Sequence, residues 1–125
     1  MHNTLTGLVA ALMAAPLFLP TAHAQNADNG KKVFTQTCSI CHDARPGSNR
    51  VGPSLFGVVG RTTGSVPGFT YSEANRNAHI AWNPATLDQY IANPRGVIPG
   101  TRMSYAGLKD DQKRHDLIAY LATLH

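Results

Sequence analysis

The residues with the clearest chemistry lie in one pentapeptide, Cys38-Ser39-Ile40-Cys41-His42, which holds the only two cysteines of the chain. Two thiols three positions apart, followed directly by an imidazole, form a C-x-x-C-H pattern. Each thiol can add across a vinyl group of haem to form a thioether, and the adjacent imidazole can bind the iron. The pattern therefore indicates one covalently attached haem with His42 as an iron ligand.

Three other chemistries use a Cys-x-x-Cys pair. A structural zinc site needs four ligands, and the chain has neither a second cysteine pair nor a His-x3-5-His sequence to complete it. A disulfide across two residues would stabilise little and would give His42 no role. A dithiol redox motif is expected beside a strand-helix-strand pattern, whereas the sequence around Cys38 reads as helix followed by loop. Of these three, the dithiol redox motif is the main alternative.

If His42 fills one axial position of a haem iron, the other position separates an electron carrier from a binding or catalytic haem. Met103 is the only methionine after residue 24, and it lies in a loop constrained by proline and glycine. A thioether there could simply fill a gap in the core. It is also the expected partner of histidine at an electron-transfer haem, so we predict Met103 as the second iron ligand.

The first 24 residues are typical of a secretory signal peptide. Leu5 to Leu19 is rich in Leu, Ala and Val, and Ala22-x-Ala24 provides a small-x-small cleavage site. The segment lacks the usual N-terminal Lys or Arg, and a transmembrane anchor or a buried core helix are the alternatives. We predict cleavage after Ala24, export to the periplasm and one domain over residues 25–125.

The elements that must position these residues read as helices between irregular segments, without a convincing alternating strand. A first helix is predicted from about Asp28 to Ile40, and a long segment rich in glycine and proline follows over residues 43–69. A loop of that length is unusual in a small domain unless it wraps a ligand. The sequence therefore predicts a small, loop-rich, all-α domain wrapped around one haem.

Three further helices are predicted from capping residues and apolar spacing. The first begins at a capping-box pattern, Thr70-x-x-Glu73, and ends near Arg76. The second follows Asn83-Pro84 and ends at Asn93-Pro94, and the third begins near Asp110. The predicted buried faces are Leu87, Tyr90 and Ile91 in the second, and Leu117, Tyr120, Leu121 and Leu124 in the third.

Seven segments in order along the chain carry a family resemblance: residues 30–34, 38–42, 52–61, 67–75, 93–94, 98–103 and 116–121. Together they resemble class I cytochromes c, most closely the mitochondrial cytochrome c and bacterial cytochrome c2 branch. The resemblance implies the helical cytochrome c fold and one haem c, bound through Cys38 and Cys41 with His42 and Met103 on the iron. It also implies that Gly30 and Phe34 contact the last helix near Leu117 and Tyr120.

The resemblance assigns further roles around the haem. Pro53 corresponds to the proline whose carbonyl accepts a hydrogen bond from the ring N–H of His42. Two polar groups follow, one at a buried haem propionate and one around a water near the Met103 sulfur. Their members are Arg61, Tyr71 and Trp82 for the propionate, and Asn75, Tyr90 and Thr101 for the water. Plain core packing is the alternative for the aromatic residues.

The function implied by the resemblance is that of a soluble periplasmic electron carrier with no enzymatic activity. Its donor would be a bc1-type complex and its acceptor a terminal oxidase, a peroxidase or a photosynthetic reaction centre, each met transiently by a monomer. An open-site haem enzyme or gas sensor is the alternative. His79, His115 and His125 belong to no ligand motif and are predicted at the surface.

The charge pattern sets an expectation for these partners. Eleven Lys and Arg against seven Asp and Glu give a formal net charge of +4, without a basic block of the kind that binds nucleic acid. Compared with mitochondrial relatives the basic ring is thin, and its expected members are Lys31, Lys32, Arg95, Arg102 and Lys109. We therefore expect partner binding to depend less on salt than in those relatives.

Overall fold

A computed structural model describes residues 24–125 of the chain. The predicted signal peptide lies outside the described residues, apart from Ala24, and remains a prediction. Within residues 24–125 the regular structure is helical, apart from one isolated antiparallel bridge between Thr62 and Ala81. No helix in this part of the chain is long and apolar enough to cross a membrane. The all-α architecture predicted from the sequence is confirmed.

The helices are short and begin at the expected types of capping residue. In chain order they are α1 (Ala27–Val33), a π-helical turn (Phe34–Cys38), α2 (Glu73–Asn77), α3 (Pro84–Ala92), α4 (Pro94–Val97) and α5 (Asp111–Leu121). α3 begins as predicted, with Asn83 and Thr86 in a capping box. The N–H of Thr86 donates to the side-chain oxygen of Asn83, and the N–H of Asn83 donates to the hydroxyl of Thr86. α5 follows Asp110, whose carboxylate accepts the N–H of Lys113 at 2.9 Å.

The first helical segment differs from the single helix predicted over residues 28–40. After α1 the hydrogen bonding changes, because the N–H of Ser39 donates to the carbonyl of Phe34, five residues back, at 2.9 Å. The hydroxyl of Ser39 also donates to the carbonyl of Thr35 at 2.6 Å. Such side-chain bonds compete with the regular helical pattern, which spacing of apolar residues does not reveal. The segment ends at Cys38, the first residue of the pentapeptide.

The cap of α2 is Ser72, so the predicted capping box at Thr70 is wrong. The backbone of Ser72 is extended, and its hydroxyl accepts the N–H of Asn75 at 3.1 Å. Two hydroxyl residues precede this helix within three positions, and the local pattern alone could not choose between them. At its other end the helix continues to Asn77, one residue beyond the predicted end.

α1 and α5 cross at Gly30, so the first and last helices of the domain pack directly against each other. A Cβ atom at residue 30 would lie 1.8 Å from the backbone oxygen of Asp116 and 2.8 Å from the Cβ of Tyr120. One turn along α1, the rings of Phe34 and Tyr120 pack with centroids 5.5 Å apart. The N–H of Asn26 donates to the Asp116 carboxylate at 2.8 Å. The predicted contact between the first and last helices is confirmed.

One hydrophobic core joins α1, α3 and α5. Its buried members are Val33, Phe34, Val58, Trp82, Leu87, Tyr90, Ile91, Ile98, Leu117, Ile118 and Leu121. Residues 39–72 wrap this core without a regular helix or extended strand. The N–H of Gly57 donates to Leu124 and that of Gly60 donates to Trp82, both at 2.7 Å, so the wrapping segment is bonded to the helical part. Tyr120 and Leu124 are only partly buried, in contrast to the prediction.

Candidate functional site

A cavity of about 640 Å³ lies between the helices and the wrapping segment. This volume is within the range of about 300–1,000 Å³ that is usual for cofactor sites. Ten of the eleven residues predicted for the haem site line it: Cys38, Cys41, His42, Pro53, Tyr71, Asn75, Trp82, Tyr90, Thr101 and Met103. The fold therefore brings together side chains that are up to 65 positions apart in the sequence.

His42 is held on the cavity wall by the backbone of Pro53. Its Nδ1 lies 2.7 Å from the Pro53 carbonyl oxygen. Because a carbonyl can only accept, Nδ1 carries the proton and Nε2 keeps a lone pair. Burial lowers the pKa of His42, the hydrogen bond to Pro53 opposes that shift, and the charge of Arg61 lowers the pKa further. A neutral imidazole oriented through its other nitrogen is the form that binds a metal.

Gly52 also contacts the imidazole, a role that the sequence analysis missed. A Cβ atom at residue 52 would lie 2.3 Å from the Cε1 atom of His42, so any side chain there would displace the ring. The N–H of Gly52 donates to the carbonyl of Cys41 at 2.9 Å. The glycine directly before Pro53 was the available signal, since glycine marks close backbone approach.

Cys38 and Cys41 are free thiols on the same wall. The N–H groups of Cys41 and His42 both donate to the carbonyl of Cys38, at 3.1 and 2.9 Å, which forms a tight turn. Burial and the neighbouring Cys41 raise the pKa of the Cys38 thiol to about 11. Reactive dithiols have a lowered thiol pKa, so this environment disfavours the dithiol redox alternative.

Met103 lines the cavity from the segment between α4 and α5. Its N–H donates to the hydroxyl of Thr101 at 3.3 Å, and that hydroxyl lies 3.3 Å from the hydroxyl of Tyr90 on α3. The third member of this predicted polar group, Asn75, accepts a hydrogen bond from the Ser72 hydroxyl at 2.7 Å. The backbone beside the thioether is therefore tied through Thr101 to α3.

The predicted propionate group is divided in the structure. Tyr71 and Trp82 line the cavity, whereas Arg61 does not. The Tyr71 hydroxyl accepts the N–H of Val66 at 3.1 Å, so its own proton is available to a further acceptor. Arg61 donates to the carbonyl of Phe56 at 3.0 Å, and burial lowers its pKa. Tyr71 and Trp82 are placed to contact a bound group, and the role of Arg61 stays a prediction.

The donor set fits a haem. The wall combines two thiols for covalent attachment, an imidazole lone pair and a thioether with largely apolar surroundings, which is the ligand chemistry of c-type haem. Within residues 24–125, no cluster of three or more His, Cys, Asp or Glu side chains is arranged to hold a metal ion. The zinc alternative gains no support from that part of the chain.

Comparison with known proteins agrees with this chemistry. The profile of the family described as Cytochrome c matches residues 27–125. Cytochrome c2 of Rhodopila globiformis is 53% identical over 95 residues, covering 76% of this chain and 90% of the relative. Cytochrome c2 of Rhodomicrobium vannielii is 46% identical over 122 residues, covering 94% of each chain. The solved structure of cytochrome cH from Methylobacterium extorquens superposes with a TM-score of 0.74 at 39% identity, covering 78% of this chain and 98% of that one.

The helical fold, the paired thiols and the cavity together define a c-type haem protein. Families within this class differ in sequence over the whole domain, so the family of this chain is decided by the sequence comparisons. On that measure the chain belongs to the cytochrome c family. Proteins of this family carry one covalently attached haem c and are electron carriers, not enzymes. The predicted family, fold class, cofactor and lack of enzymatic activity are confirmed.

Proposed function

We propose that the chain is a soluble periplasmic carrier of single electrons, in which His42 and Met103 would hold the iron of its haem. The observation that carries the proposal is that both side chains line one cavity together with Cys38 and Cys41. The haem supplies the iron that alternates between Fe(III) and Fe(II). Two protein ligands keep the coordination alike in both states, and a methionine ligand raises the potential.

The remaining residues of the site orient the ligands and exclude water. Pro53 and Gly52 hold the His42 ring in one orientation. The apolar wall contributed by α3 and α5 lowers the local dielectric, which favours the less charged, reduced centre. Tyr71 and Trp82, with Arg61 nearby, would donate hydrogen bonds to a propionate, since a buried carboxylate needs such donors.

We place partner contact at the cavity edge near the pentapeptide. Among the described residues, the exposed large hydrophobic side chains are Ile40 and Val51, at 70% and 78% exposure. Ile40 directly precedes Cys41, and Val51 directly precedes Gly52. The hydrogen bond between Gly52 and Cys41 therefore brings the two parts of the chain that carry these side chains together. By family resemblance the donor is a bc1-type complex, and the acceptor is a terminal oxidase, a peroxidase or a photosynthetic reaction centre. Contact through small apolar surfaces suits short-lived complexes.

The ligand assignment is tested by replacing Met103 with Ala in the purified ferric holoprotein. The wild type should show the haem c α-band when reduced and the weak methionine-to-iron band when oxidised. Met103→Ala should remove the second band and lower the reduction potential. Ala106→Ser, at an exposed position in the same segment, should leave both unchanged. A persistent methionine-to-iron band in Met103→Ala would contradict the assignment.

Carbon monoxide separates a closed site from an open one. With Met103 on the iron, the ferrous wild-type protein should bind carbon monoxide poorly near neutral pH. Ready binding would instead support the open-site haem enzyme or gas sensor and overturn the carrier proposal.

The compartment is tested by N-terminal sequencing of the mature protein isolated from a periplasmic extract. Cleavage after Ala24 should give Gln25 as the first residue. Recovery of the full N-terminus in a membrane fraction would show a retained anchor.

A further inference from the structure

Arg114 on α5 is a buried cation that the proposed function does not use. The residue is 6% exposed. Its Nε bonds to Asp88 on α3 at 2.6 Å and its Nη2 bonds to Asp111 at 2.8 Å. Its Nη1 donates to the backbone carbonyl of Leu108 at 2.9 Å. One guanidinium group therefore joins two helices to the far end of the segment that carries Met103.

Neighbouring contacts fasten the same end of that segment to α3. The N–H of Leu108 donates to the carbonyl of Ile91 at 2.9 Å, and the ammonium group of Lys109 donates to the carbonyl of Ala92. Gly107 has φ +112°, and a Cβ atom there would lie 2.2 Å from the Ala92 oxygen. Only glycine permits this close approach.

Between its two ends the segment makes few hydrogen bonds of its own. At the near end, Thr101 contacts Tyr90 on α3 and accepts the N–H of Met103. In the part of the chain that the structure describes, the backbone N–H groups of residues 104–107 make no hydrogen bond to protein. Met103 therefore lies in a span that hydrogen bonds fix at Thr101 and again from Leu108 onward, with the side chain of Tyr105 packed against the core between these points.

We propose that Arg114 is a positioning residue that keeps Met103 at the iron by fastening the far end of this span. The proposal rests on the proposed ligation by Met103. Without the Arg114 to Leu108 hydrogen bond, this end keeps the contacts of Leu108 and Lys109 with α3 but is held less firmly, so it detaches from α3 more often. The population in which Met103 has left the iron then rises, and an external ligand gains access in proportion to that population.

The charges around Arg114 show why its loss should act on the segment more than on the fold. The side chains of Asp88 and Asp111 are 33% and 79% exposed, so both carboxylates stay solvated when Arg114 is replaced. His115, 3.4 Å from Asp88, lies at the same surface. Solvent at the two carboxylates screens both ion pairs in part, although the Arg114 side chain itself is only 8% exposed. The Leu108 carbonyl, on partly buried backbone, would lose a charged donor.

The test is imidazole binding to the ferric holoprotein, because imidazole competes with Met103 for the iron. Arg114→Leu should bind imidazole about tenfold more tightly than the wild type, the change expected for one lost hydrogen bond to a charged donor. Its methionine-to-iron band should also disappear at a lower temperature. Gly107→Ala, which disturbs the same attachment where the segment contacts Ala92 on α3, should shift imidazole affinity in the same direction. Arg114→Lys should restore part of the difference.

Two controls separate positioning from general stability. Asp111→Asn removes an exposed ion pair of Arg114 and leaves the Leu108 contact, so its imidazole affinity should equal that of the wild type. Val33→Ala removes core volume on α1, away from the cavity wall, so it should lower the melting temperature without changing imidazole affinity.

Several results would overturn the positioning role. Imidazole affinity in Arg114→Leu equal to that of the wild type would do so, as would an equal increase in Val33→Ala. If Arg114→Leu does not yield folded holoprotein, Gly107→Ala and Arg114→Lys decide in the same way. A wild-type protein without the methionine-to-iron band would contradict the proposed function itself, which is a different result from an unchanged affinity in the variants.

Discussion

At the scale of single residues, His79 occupies a conformation that its side chain disfavours. It has φ +52°, and among the described residues it is the one non-glycine residue with a positive φ. The left-handed region costs a residue with a Cβ atom about 1–2 kcal/mol relative to the right-handed one. Since His79 is exposed and follows the end of α2, no packing requires an imidazole there.

His79→Gly should therefore stabilise the holoprotein by about 1 kcal/mol, after the greater freedom of glycine in the unfolded chain is included. For a domain of this size the melting temperature should rise by about 4–8 °C, as followed by circular dichroism. Ala78→Gly is the matched control, because Ala78 has φ −70° and gains nothing from glycine. A lower melting temperature in His79→Gly would show that the side chain stabilises the turn.

The site residues illustrate how much single positions reveal in a sequence. Residue type and position in the sequence predict Cys38 and Cys41 for attachment and His42 and Met103 for iron ligation, and the fold places all four on one cavity. Contacts set by backbone approach were not fully predictable. The glycine before Pro53 suggested a close backbone approach, but only the structure shows that the approach is to the His42 ring. The contacts of Arg114 were not predictable, because its partners are distributed over two helices and a loop.

At the scale of helices, the crossing of α1 and α5 depends on the absence of a side chain at Gly30. Gly30→Ala would place a Cβ atom 1.8 Å from the Asp116 backbone oxygen, and a backbone atom of α5 cannot move without moving the helix. Alanine favours an isolated helix by about 1 kcal/mol, yet overpacking of this kind costs about 3 kcal/mol or more.

We expect Gly30→Ala to lower the free energy of unfolding by about 2 kcal/mol or more, measured by guanidinium denaturation of the holoprotein. Asn29→Ala, at the adjacent exposed position of α1, should change stability little or raise it slightly through helix propensity. Equal stability in the two variants would mean that α1 and α5 can separate at no cost.

Helix limits were predictable where one side chain supplies the cap. Asn83 and Asp110 each precede their helix and bond to it, as their sequence context indicated. The limits of α2 were not predictable, because Thr70 and Ser72 are both suitable caps and only the extended backbone at Ser72 decides between them. The π-helical turn after α1 depends on a competition among hydrogen bonds whose energies differ little, so residue spacing could not reveal it.

At the scale of the whole molecule, a net charge of +4 over 125 residues gives a weak field. Arg50 and Arg102 are the basic residues on the cavity wall, and the apolar side chains Ile40 and Val51 are exposed close to it. Lys109, one of the expected ring members, already donates to the carbonyl of Ala92. Long-range attraction should therefore contribute less to partner encounter than short-range apolar contact.

Oxidation of the ferrous protein by an acceptor of the proposed classes should accordingly slow by less than about tenfold as ionic strength rises from about 0.01 to 0.15 M. Stopped-flow kinetics would measure this dependence. Ile40→Asn should slow the reaction at every ionic strength, whereas Lys113→Gln, away from the cavity wall, should not. A steep loss of rate with salt in the wild type would contradict the weak-field expectation.

The hydrophobic core and the cavity share residues, so folding of the chain is coupled to attachment of the haem. Seven of the eleven buried core residues also line the cavity: Val58, Trp82, Leu87, Tyr90, Ile91, Leu117 and Leu121. The haem would complete the packing of these side chains, so much of that packing depends on its attachment. Before attachment the polypeptide should therefore be loosely folded, with both thiols accessible. Covalent attachment of the haem would then be the event that allows the chain to complete its folding.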